Sequence, residues 1–145
     1  MGKCTPESLI AGKKIKLTRQ RHDVLNSIVN IGRPFSAYDL RDDLEDEMDL
    51  ATIYRNLDKL SGEGIIRLVM NENERQYYEL ACKHNPEHPH FYCTCCGKIF
   101  CMGKEKYIQP GKVLSGDFTV EEIVITFKGI CPECKKIKCK LSAKK

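Results

Sequence analysis

An α+β fold in two parts follows from three observations. Three stretches with helical spacing of apolar residues come first, and a hairpin signal follows them directly. From about residue 81 the helical pattern fades, and cysteine, histidine and β-branched residues take over. Helices followed by a hairpin is the order of a winged helix-turn-helix domain. The expectation is such a domain over residues 1–80, a hinge over 81–87, and a small α/β domain over 88–145 ending in a disordered basic tail.

The first helix is expected over residues 18–30. Val24, Leu25, Ile28 and Val29 share one face, and Gly32 supplies a stop. Ser36 and Asp39 in "SAYDLRDDLEDE" have capping-box spacing. Behind them Ala37, Leu40 and Leu44 form an apolar stripe, and the opposite face is strongly acidic. Such a face avoids phosphates, so this helix supports rather than reads nucleic acid. The third helix lies in "DLATIYRNLDKLSGEG", with Ile53, Leu57 and Leu60 inward and Gly62 and Gly64 at its end. Ala51, Thr52, Arg55 and Lys59 point away, with Tyr54 at the margin. "IIRLVM", the polar turn "NENE" and "RQYYEL" read as a hairpin. In a winged helix the third helix enters the major groove, where Arg reads guanine and Tyr meets thymine methyls. Beyond the hinge, "HFYC" and "KIF" read as short strands and Phe118–Phe127 as a longer one. Residues 103–117 fit a short helix or a loop.

Charge is unevenly spread. Residues 1–80 carry 12 Lys/Arg against 14 Asp/Glu, and residues 81–145 carry 12 against 6. The sharpest basic cluster is Lys13, Lys14, Lys16, Arg19 and Arg21, which suits phosphate contact. No run approaches the roughly 18 apolar residues of a membrane span, and nothing at the start resembles a secretory leader. The expected location is the cytoplasm. In a reducing compartment nine cysteines point to metal more than to disulfides.

Cys93-x-x-Cys96 and Cys131-x-x-Cys134 are spaced to give four thiolates to one tetrahedral zinc ion. Redox disulfides are the other use of such pairs. Cys96 is preferred to Cys95, which leaves a gap of one residue. Gly97 permits the left-handed backbone that such a knuckle needs. Four thiolates leave Cys82, His84, His88, His90 and Cys101 over, with Glu79 nearby. His88 and His90 share a face if they lie on a strand, and Cys101 follows the knuckle closely. A second site built from these residues and Glu79 joins the two domains. No H-E-x-x-H motif or activated nucleophile appears, so no enzyme and no small-molecule substrate are expected.

"KLTRQR", "ATIYRNLDKL", "HPHFYC..CGK" and the late "C..C" together resemble the ferric uptake regulator (Fur) family over roughly residues 10–135. The resemblance implies a winged-helix domain, an α/β dimerisation domain, and a homodimer that binds a palindromic DNA operator when loaded with metal. It assigns Tyr54 and Arg55 to base and phosphate contact and Lys16 to a basic arm; Arg19 of the basic cluster and Thr52 of the third helix's outward face join them as expected DNA-binding residues. It assigns Cys93, Cys96, Cys131 and Cys134 to structural zinc, and Glu79, His88 and His90 to a regulatory divalent site. Cys101 stands where many iron sensors have Glu, and Cys82 matches a cysteine of some zinc sensors. Arg33-Pro34-Phe35 replaces a family histidine, Pro89 cannot ligate, and Ile123 stands where another histidine often lies. "SAYDL" is similar to the zinc-uptake branch. Softer ligands favour Zn²⁺ over six-coordinate Fe²⁺ or Mn²⁺. The expectation is a zinc-responsive repressor, with an iron sensor second and a peroxide sensor third. Outside that reading stand an unswitched zinc-stapled nucleic-acid module and a thiol redox sensor using Cys4, Cys82, Cys95 and Cys139.

Overall fold

The computed structural model describes residues 4–82, 84–103 and 114–137. The chain divides into two compact units, Met1–Pro86 and Glu87–Lys145. Cys139 and most of the basic tail lie outside the described residues, as do residues 104–113.

The first unit opens with α1 (Pro6–Ile10), a short helix that helical periodicity does not reveal. Thr5 and Ser8 cap it reciprocally, and Pro6 stands at its first position. Helix α2 (Arg19–Ile31) starts at the Thr18 cap and stops at Gly32, whose φ is +65°. The Ser36–Asp39 capping box is present and opens α3 (Ala37–Asp43). Ala37 and Leu40 are buried and Leu44 is half-buried, as expected of the stripe. Asp49 caps α4 (Leu50–Gly62), its carboxylate accepting the Thr52 N–H at 2.9 Å.

Strands β1 (Ile66–Glu72) and β2 (Arg75–Leu80) form the expected antiparallel hairpin. Its turn is tighter than "NENE", because Asn73 and Glu74 alone take positive φ. Two consecutive left-handed residues match the right-handed twist of the strands. A bridge between Phe35 and Tyr78 ties the approach to α3 onto β2. The core of this unit is built from Val24, Leu25, Ile28, Phe35, Leu40, Ile53, Leu57, Leu60 and Ile66, all essentially buried. Three helices and a paired wing around that core make a winged helix-turn-helix domain.

The second unit holds a three-stranded sheet in the order β4 (Ile99–Cys101), β3 (His90–Cys93), β5 (Thr126–Gly129). Strand β3 runs antiparallel to β4 and parallel to β5. A short helix α5 (Pro132–Lys136) follows. The long strand expected over Phe118–Phe127 is not formed, because only Thr126 and Phe127 of that stretch join the ladder. Propensity alone does not make a strand. Phe118, Val120 and Val124 stand exposed, and no described strand pairs residues 118–125.

Candidate metal centres and nucleic-acid interface

Among the described residues of the second unit, the buried cluster is built on cysteine rather than on aliphatic side chains. It consists of Cys93, Cys131 and Cys134, with Phe91, Cys95, Phe100 and Ile130 packed around it. Cys93 ends β3. The knuckle after it turns at Gly97, whose φ is +77°. Cys131 precedes α5, Pro132 fits the first helical position, and Cys134 follows within that first turn. Sγ atoms of Cys93, Cys96, Cys131 and Cys134 all lie within 4.8 Å of one another, and those of Cys96 and Cys131 are 3.9 Å apart. Thiolates on tetrahedral zinc, with bonds of about 2.3 Å, stand about 3.8 Å apart. Four converging thiols therefore fit that ion in number, chemistry and spacing. Cys95 is not one of the four.

The electrostatics also call for a cation. Burial acts against ionisation of Cys93. Backbone N–H groups of Cys96, Cys131 and Cys95 outweigh it and hold the thiol down at about 6. Two of these donations measure 3.5 Å from Cys96 and 3.4 Å from Cys131. Cys134 is pushed up to about 12 by burial and by the neighbouring thiols. Cys93 thus gives up its proton readily and Cys134 resists doing so.

A second group in the same unit comprises His88, His90 and Cys101, whose ligand atoms lie within 4.8 Å of one another. The β3–β4 register sets His90 opposite Cys101, and the His88 and His90 rings are 4.5 Å apart. Two imidazoles and a thiol form a soft donor set. Glu79 belongs to β2 of the first unit. It is buried opposite Arg67, whose Nε donates to it at 2.8 Å and whose Nη2 lies 2.5 Å away. Arg67 also donates to the Asn85 carbonyl at 2.8 Å. The guanidinium satisfies a carboxylate that would be costly to bury alone.

Cys82 has closer company than the sequence reveals. Cys4, Cys82 and His84 offer ligand atoms within 4.8 Å of one another, all in the first unit. No local spacing signals this group, since Cys4 lies 78 residues from Cys82. The Arg67–Glu79 pair was also missed, although hairpin register alone places it.

The predicted nucleic-acid residues lie on the first unit. Helix α4 buries Ile53, Leu57 and Leu60 and leaves Arg55 and Lys59 exposed, with Thr52 and Tyr54 half-buried. Arg55 donates to Thr52 Oγ1 at 3.2 Å, which steadies the guanidinium on the helix surface. The Tyr54 hydroxyl is held above its usual range by burial and by Tyr38. Lys16 and Arg19 are exposed in the basic arm. That arm is fixed by Arg21 donating to the Lys16 carbonyl at 2.6 Å and by the Lys14 N–H donating to Glu63 at 2.9 Å.

The ferric uptake regulator family model matches residues 12–128. The chain belongs to the ferric uptake regulator family. It is a metal-dependent transcriptional regulator and not an enzyme. A ferric uptake regulation protein of Synechococcus elongatus is 28% identical over 130 residues, covering 83% of this chain and 86% of the relative. A peroxide operon regulator of Bacillus subtilis is 27% identical over 128 residues, covering 84% and 86%. Among solved structures, a zinc uptake regulator in complex with zinc and DNA is 28% identical, with a TM-score of 0.58 over 91% of each chain. Fur-family relatives thus span iron, peroxide and zinc regulators, and the α+β architecture is that of the family. No described helix is long and apolar enough to cross a membrane.

Proposed function

We propose that this Fur-family chain is a cytoplasmic, zinc-responsive repressor that binds a palindromic operator as a homodimer. One observation carries the choice of metal: a thiol, Cys101, joins His88 and His90 where a harder ligand set would suit Fe²⁺ or Mn²⁺. Glu79 is the proposed further ligand. Cys82, the other candidate, is engaged with Cys4 and His84. Zinc on Cys93, Cys96, Cys131 and Cys134 is structural. Phe118, Val120, Val124 and Phe127 of the second unit are exposed apolar side chains, and this supports dimerisation.

In this reading, sensory zinc selects the arrangement of the two reading domains that matches adjacent half-sites. Thr52, Tyr54 and Arg55 meet the major groove, and Lys16 and Arg19 meet phosphates. Iron sensing is the second reading, supported by the likeness to the Synechococcus ferric uptake regulation protein.

The test uses a palindromic duplex selected from a random pool by the metal-loaded protein. Its affinity is followed against buffered free Zn²⁺, Fe²⁺ and Mn²⁺. Zinc is expected to tighten binding by about 5–150-fold, the usual span of allosteric coupling. Cys101→Ser should keep its structural zinc and flatten that response. Affinity that ignores zinc, or follows iron and persists in Cys101→Ser, defeats the reading.

A further inference from the structure

We infer that Cys4, Cys82 and His84 form a further zinc site, wholly inside the winged-helix unit and distinct from both the cysteine staple and the sensory group. Cys4 precedes α1, and Cys82 and His84 follow β2, so sequence-distant segments meet here. The Cys4 and Cys82 sulfurs are 3.5 Å apart, and Cys4 Sγ is 3.6 Å from His84 Nδ1.

Those distances have a chemical meaning. With Zn–S bonds of about 2.3 Å and Zn–N of about 2.0–2.1 Å, tetrahedral angles put two sulfurs about 3.8 Å apart and sulfur and nitrogen about 3.6 Å apart. A two-coordinate ion between the sulfurs would hold them well beyond 4 Å. The residues thus present three corners of a tetrahedron. The fourth corner has room, because a cavity of about 540 Å³ adjoins the group and is lined in part by Ser8, Leu9 and Gly64.

Charge fits as well. Two thiolates and a neutral imidazole balance one dication, which a partly buried pocket tolerates. Lys13 also lines the cavity and opposes an excess of positive charge, so a ligand set with fewer than two thiolates would be disfavoured. Burial and the neighbouring Cys82 raise the Cys4 thiol, which a cation beside its sulfur would offset. An ion here closes a loop spanning 78 positions and fastens α1 just ahead of the basic arm. It acts on the reading domain itself, upstream of any change in how two domains are aimed.

The test uses the full chain, reduced and freed of metal. Co²⁺ and Zn²⁺ are added separately in the presence of a competing chelator, and bound metal per chain is counted. Cys4→Ser and His84→Ala are each expected to lose one equivalent relative to the unsubstituted chain. The near-ultraviolet thiolate-to-cobalt band should fall by the share of two sulfurs in Cys4→Ser. Zinc should also slow alkylation of Cys4 and Cys82 in the unsubstituted chain by at least tenfold. His90→Ala should lose the sensory equivalent and keep this one, which separates the two claims. Unchanged metal counts in both Cys4→Ser and His84→Ala overturn the inference. So does equal alkylation with and without zinc, or a Cys4–Cys82 disulfide that persists under excess reductant and zinc.

Discussion

Cys131→Ser removes one of four thiols from a cluster that, among the described residues, is buried and made of cysteine. Two independent routes give the size of the effect. The Cys93 and Cys131 sulfurs bind chain segments 38 positions apart, and a cross-link closing a loop of that length is worth about 4 kcal/mol in chain entropy. Structural zinc binding in small domains supplies about 10–16 kcal/mol, so one ligand's quarter share is about 2.5–4 kcal/mol. A hydroxyl does not ionise near neutrality and replaces little of this. The folded-to-unfolded ratio of the second unit should therefore fall by about a thousandfold. Amide exchange read by mass spectrometry, with zinc counted on the same sample, resolves the two units separately. Residues 90–101 and 126–136 should lose protection while α2 and α4 keep theirs, because the first unit has its own aliphatic core. A zinc-free Cys131→Ser protein with undiminished protection over β3 and β5 would refute the staple.

Arg55→Ala should weaken operator binding by about 1–3 kcal/mol and relax base preference at one position of each half-site, read by competition among variant duplexes. Lys16→Ala should instead weaken all sequences alike and reduce the salt slope by about one. Asp49 gives a pH test. Its carboxyl is held below its ordinary value of 3.8, first by the Thr52 side chain and then by the Thr52 N–H. Its stabilisation is therefore complete above 3.8 and is lost as pH falls through the lowered native value. Thermal melts of Asp49→Ala and the unsubstituted chain should differ at neutral pH and converge in acid; a gap of the same size at neutral pH and in strong acid would contradict the cap. Leu57→Ala empties a fully buried position and should cost about 2–5 kcal/mol in denaturant melts of the first unit.

Helices α2 to α4 and the hairpin were legible because their periods and caps are local. Val24, Leu25 and Ile28, or Ile53, Leu57 and Leu60, announce a face without reference to anything distant. The Cys93–Cys96 and Cys131–Cys134 pairs were legible for the same reason, each being a self-contained knuckle. Helix α1 was not, since five residues with Pro6 and Leu9 buried leave no repeat to detect. Its sign is the cap at Thr5 and Ser8. Phe118–Phe127 misled because β-branched composition reports only that a residue suits a ladder; the strand on offer, β3, accepts Thr126–Gly129. The Cys4–Cys82–His84 group depends on a fold-level meeting of remote segments, which no spacing rule contains. Arg67 opposite Glu79 lay between these cases, being available to anyone who fixed the hairpin register first.

Strand β3 begins at His90 and ends at Cys93, so one four-residue rod carries a histidine of the proposed sensor at one end and an anchor of the staple at the other. At about 3.3 Å per residue the two lie roughly 10 Å apart. On the proposed reading, the gauge is made from the substance it measures. Such an instrument works only with a strict order of filling: the anchor must saturate at concentrations far below those the sensor registers. Under deepening scarcity the sensor empties first, and the rod that mounts it outlasts the signal.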